Sequence, residues 1–182
     1  MIPVLRAKAK YLVLTCLTLL VIVGCGDSHR SDPVAADSPG PIVVENPVFI
    51  KRLPSRDTGQ LPRLVATNTV IGVDGGTLQN AFVTLVFPAG ALDGDTQISV
   101  EIVDPELMLV EFRPEGIVFN TPVIMTFDLM NTTAEGTAAA CGVGWYNPSA
   151  MQWELLESYS TGPNSLNATL YHFSKYGGLI GG

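Results

Sequence analysis

His172 and Ser174 stand two residues apart in a segment, Leu166 to Phe173 and onward, that reads as a β-strand. Residues two apart in a strand point to the same face, so a base and a hydroxyl nucleophile would lie side by side. The spacing also suits a plainer role. Leu166, Ala168 and Leu170 share that face and are apolar, so His172 equally fits a buried, hydrogen-bonded strand residue. Other constellations are poorer. Asp93, Asp95, Asp104 and Glu106 carry oxygens, but calcium takes about six to eight of them, and Gly94 and Pro105 mark ordinary turns. His29 and His172 lie far apart in unlike segments, so no zinc set of His and Cys forms. No helix follows a glycine-rich loop to cradle phosphate. Cys141 sits in an apolar, alternating run without a basic neighbour and reads as a buried, inert thiol. No metal or cofactor is expected. Trp145 and Trp153 read as core aromatics rather than as a sugar-binding platform.

Strands must position these side chains. Thr69 to Val73 runs into the turn Asp74-Gly75-Gly76, and Phe82 to Phe87 stops at Pro88. Ile98, Val100 and Ile102 alternate with Gln97, Ser99 and Glu101, and Val123, Met125, Phe127 and Leu129 alternate with Thr126 and Asp128. Period two means one buried and one wet face. Cys141 to Tyr146, Gln152 to Leu156 and Leu166 to Phe173 continue the pattern. Short strands at close spacing, with no capped helical period and no internal repeat, predict an all-β, antiparallel β-sandwich.

The N-terminal quarter differs. Arg6, Lys8 and Lys10 precede an apolar stretch from Tyr11 to Gly24. That stretch is shorter than the about 20 residues of a membrane span and suits a secretion leader. Its end, Ile22-Val23-Gly24-Cys25, resembles the lipobox of bacterial lipoproteins. The resemblance implies that Cys25 receives lipid, becomes the N-terminus and anchors the chain in the membrane. Each buried methylene would contribute about 0.8 kcal/mol. Gly26, not Asp, follows Cys25, which implies outer-membrane localisation in an envelope with two membranes. From Gly26 to Pro62, six prolines are scattered among Ser, Asp and Gly, and repeated prolines favour extended chain. The expected organisation is a leader at 1–24, a lipid-anchored tether at 25–62 and a sandwich domain at 63–182. Two apolar patches in the tether, Ile42-Val43-Val44 and Val48-Phe49-Ile50, are candidates for an added edge strand. The chain carries 17 acids and ten bases, of which three bases and no acid precede Cys25. The remainder has a net charge of −10, which disfavours nucleic acid as a partner. With Cys16 in the leader and Cys25 as anchor, Cys141 has no partner for a disulfide.

Three segments together resemble the ZU-five domain of zonula occludens proteins, Unc-five netrin receptors, ankyrins and death-domain adaptors. They are Gly75-Gly76-Thr77-Leu78 with Val83 to Leu92, then Arg113 to Val123, then Leu170 to Tyr176. Phe87, Ala89 and Arg113 depart from the family pattern. The resemblance implies a β-sandwich that binds a partner without catalysis. It also implies a second activity, because in some such domains the tripeptide found here as His172-Phe173-Ser174 cuts itself between Phe and Ser. A third expectation is a glycan-binding accessory module using Trp145, Tyr146 or Trp153.

Overall fold

The alternation in the sequence is an alternation of burial in the structure. Val123, Met125, Phe127 and Leu129 are fully buried, while Asp128 between them is exposed. Ile98 and Val100 are buried and Gln97 and Glu101 are exposed. Such half-apolar strands must pair their apolar faces, and two sheets do so. The computed structural model describes residues 40–55, 59 and 67–181. Cys25, the leader and the first part of the expected tether lie outside the described residues.

Among the described residues the larger sheet has seven strands. Their order is β1 (Ile42–Val44), β9 (Gln152–Leu156), β8 (Cys141–Asn147), β12 (Lys175–Ile180), β6 (Leu109–Arg113), β5 (Thr96–Asp104) and β2 (Thr67–Ile71). The smaller sheet has the order β10 (Ser158–Gly162), β11 (Ser165–His172), β7 (Val118–Asp128), β4 (Val83–Phe87) and β3 (Gly76–Asn80). All of these pairings are antiparallel. The protein is an all-β sandwich, with one apolar core between the sheets.

The sandwich begins earlier than residue 63. Ile42–Val44 forms the edge strand β1 on β9, so the first apolar patch of the proline-rich segment adds a strand. The second patch does more. Ile50 is fully buried; its N–H donates to the Gly178 carbonyl at 2.9 Å and its carbonyl accepts from the Met108 N–H at 3.0 Å. Phe49 bridges to Leu179 and Lys51 to Leu107. The segment is thus a wedge, bonded to β12 on one flank and to the approach of β6 on the other. Arg52 closes it: its guanidinium donates to the Pro105 carbonyl at 2.6 Å and lies 5.1 Å over the Phe82 ring. Burial holds the Arg52 pKa below its ordinary value. Prolines at 47 and 54 flank the wedge without interrupting its bonds.

Candidate functional site

The candidate tripeptide lies at a corner. β11 ends at His172 in the smaller sheet and β12 begins at Lys175 in the larger one. Phe173 and Ser174 carry the chain from one sheet to the other. The Phe173 ring makes this crossing, because it is 1% exposed and sits among three other rings. Phe119 is 4.9 Å away edge-on, Phe112 is 5.5 Å away, and Phe87 is 6.1 Å away edge-on. Each aromatic pair adds about 0.5–1.5 kcal/mol beyond simple burial.

Phe87, Phe119 and Phe173 come from the three separate segments that carry the family resemblance, so those segments meet at one aromatic cluster. Backbone bonds reinforce the meeting. The Gly90 N–H donates to Val73 O at 2.7 Å, Asn120 N–H to Ala91 O at 3.1 Å, and Phe173 N–H to Ile117 O at 2.9 Å. Gly75 shows why glycine is needed there. Its φ is +77°, and an added Cβ would collide with the Phe87 carbonyl oxygen and lie 2.8 Å from the Pro88 carbonyl carbon. Gly75→Ala is therefore expected to cost at least about 1–2 kcal/mol, measured as a lowered urea midpoint at unchanged slope.

His172 is half-buried. The Tyr176 phenol donates to the His172 carbonyl at 2.7 Å and lies 3.3 Å from Nδ1. Its single hydrogen goes to the carbonyl, which leaves the phenol oxygen free to accept from Nδ1 in the tautomer protonated there. Burial raises the Tyr176 pKa well above the ordinary phenol value, which keeps that hydrogen in place. The Trp145 ring packs edge-on against the imidazole at 4.8 Å. Ser174 is 5% exposed, and its hydroxyl donates to the Tyr146 carbonyl at 3.3 Å.

His172 and Ser174 thus bond to different partners, and no hydrogen bond joins them. The expectation that one strand carries both residues does not hold, because β11 ends at His172 and Ser174 lies beyond it. The same-face rule holds within a strand, and this chain leaves its strand between the two residues. Two features still concern chemistry. The Phe173 carbonyl accepts the Gly116 N–H at 3.2 Å. A cleft of about 450 Å³ opens onto the tripeptide, bounded by Glu115, Gly116, Val118, Trp145 and Asn147.

The other candidates are placed as follows. Trp145 packs against the main core. Trp153 does not: with Phe49 at 5.0 Å and Tyr146 at 5.4 Å it forms a cluster over the outer face of the larger sheet. These rings press on one another. Asp93 accepts from the Asn120 side chain at 2.7 Å, and Asp104 accepts from the Glu106 N–H at 2.8 Å, as turn residues do. Among the described residues no three of His, Cys, Asp or Glu gather as a metal site would. Cys141 is buried; its thiol donates to the Thr137 carbonyl at 3.5 Å, and burial raises its pKa. No family model matches the chain, and no curated protein sequence matches it.

Tyr146 and Trp145, the partners of Ser174 and His172, were beyond sequence reasoning. Both come from β8, and Tyr146 is 28 residues from Ser174. Tyr176 carried a signal, as part of the Leu170 to Tyr176 segment.

Proposed function

We propose that this chain is a non-catalytic, membrane-tethered interaction module of the cell envelope, of ZU-five type, held by lipid on Cys25. The observation that carries the non-catalytic part is the absence of a hydrogen bond between His172 and Ser174, whose side chains bond to Tyr176 and to the Tyr146 carbonyl instead. Convergence of the three resemblance segments on Phe87, Phe119 and Phe173 supports the family assignment. The leader and the Ile22-Val23-Gly24-Cys25 sequence support the anchor. In an envelope with two membranes, Gly26 after the cysteine supports an outer-membrane location.

One observation favours a second reading, self-cleavage. The Gly116 N–H on the Phe173 carbonyl would stabilise negative charge developing there, and the cleft admits water. His172 Nε2 would take the Ser174 hydroxyl proton while Oγ attacks the Phe173 carbonyl carbon. The Phe173–Ser174 C–N bond would break as its nitrogen takes the proton from His172. Water would then hydrolyse the ester to a Phe173 carboxylate and a free Ser174 hydroxyl. The Ser174 hydroxyl must first turn from Tyr146 to His172.

The deciding measurement is the denatured intact mass of the purified full chain. One uncut species at the Phe173–Ser174 bond is the expected result. Two species split there, restored to one by His172→Ala or Ser174→Ala, would overturn the non-catalytic reading. Palmitate labelling of growing cells tests the anchor: label is expected on the protein and absent from Cys25→Ser. Label that persists in Cys25→Ser removes the anchor from the proposal.

A further inference from the structure

We propose that the outer face of the smaller sheet binds an uncharged polysaccharide chain. The inference rests on the binding-module reading above and names its ligand class. Register places Tyr159, Asn167, Thr126, Thr84 and Gln79 in one row across all five strands. The next row holds Thr169, Ile124, Val86 and Thr77. None of these side chains is charged, although the chain carries 17 acids. Asp128, opposite Ser165 at one end of the face, is the outward exception. The larger sheet is the reverse: Glu101, Glu111, Arg113 and Lys175 form ion pairs across its outer face. A surface for phosphates or anionic headgroups would carry cations. This face instead offers what a neutral sugar chain presents in return. Hydroxyls and amides meet sugar hydroxyls, and the methyl groups of Val86 and Ile124 meet the apolar C–H faces of the rings.

Three structural features go beyond composition. Tyr159 and Tyr171 are 46% and 61% exposed and offer flat rings for sugars to stack on. Tyr171 is four residues along β11 from the partner of Tyr159, at the register shift between Leu170 and His172, or roughly 13 Å along the strand. Rings so far apart engage a chain of sugars rather than one. Second, Asn167 is only 5% exposed despite its outward position. Its carbonyl accepts the Thr126 hydroxyl at 2.7 Å, and its amide donates to Tyr159 O at 3.2 Å and Thr161 Oγ1 at 3.1 Å. It therefore fixes the strand that carries Tyr159. A buried amide on the wet side of a sheet serves no core; it stiffens a surface, as a preformed binding site requires. Third, β10 and β11 slip register between Ser160 and Gly162. There a shallow, open depression lies between Thr126, Asp128, Pro163 and Ser165. It gives the face a concave end, with a carboxylate to accept sugar hydroxyls.

The test is affinity electrophoresis of the purified full chain, in a polyoxyethylene detergent, through gels containing laminarin, mannan or dextran. Retarded migration in at least one gel is expected. Tyr159→Ala and Tyr171→Ala, both exposed and neutral to folding, should each weaken that binding about tenfold. Val70→Ala, exposed on the outer face of the larger sheet, should leave it unchanged. No retardation in any gel, or retardation unaltered in both tyrosine variants, overturns the inference. Crosslinking in intact envelopes separates the two readings. A discrete protein adduct without retardation overturns the polysaccharide and leaves the binding module standing. Absence of both overturns the two together.

Discussion

Phe173→Ala is expected to lower the unfolding free energy by about 3–5 kcal/mol. Its ring is 1% exposed and touches Phe87, Phe112 and Phe119, so truncation leaves a hole in which three rings lose a shared neighbour. Domains of this kind hold about 5–15 kcal/mol in all, so the loss approaches the whole margin in a weakly stable chain. His172→Ala is the informative comparison. The half-buried imidazole makes one long contact to Tyr176 and one to Trp145, and its loss should cost about 1 kcal/mol. Urea denaturation of the full chain, followed by tryptophan fluorescence, measures both. Equal costs would mean that the tripeptide is held by its polar contacts, contrary to the packing described here.

The second large effect is expected where composition points the other way. Ile50→Ala should cost about 2–5 kcal/mol, although Ile50 lies among prolines in a segment that reads as tether. It is fully buried and hydrogen-bonded on both flanks. Val48, two residues earlier and 60% exposed, should tolerate alanine to within about 0.5 kcal/mol. The same urea experiment decides. An Ile50→Ala variant as stable as Val48→Ala would show that the wedge is not part of the cooperative fold.

Sandwich strands with one wet face were legible in the sequence because burial writes its period directly into the residue types. β7 and β5 are examples, with Val123 to Phe127 and Ile98 to Ile102 in plain alternation. β12 was not legible. It contains Gly177 and Gly178, which depress strand propensity, and the reason for them lies elsewhere in the chain. A Cβ on Gly177 would sit 2.6 Å from the Phe49 ring, and one on Gly178 would sit 3.0 Å from the Ile50 side chain. The glycines and the wedge are complementary surfaces, and neither explains itself alone. β10, Ser158–Gly162, is polar along its length and gave no period to read. At the candidate site the residue types were legible and the geometry was not. Alternation assumes a continuing strand, and Phe173 ends the strand by entering the core.

The wedge also decides how the molecule responds to tension from its N-terminal side. Load entering at residue 40 first reaches β1, a three-residue strand paired on one side only. It next reaches Phe49 to Arg52, held on both flanks, where bonds to two neighbours must fail together. Peeling of β1 frees the chain from Ile42 to Pro47, roughly 20 Å of contour, while the sandwich stays folded. The two attachments act in series as a slack length followed by a stop, so a pull from the N-terminal side lengthens the chain before it strains the domain.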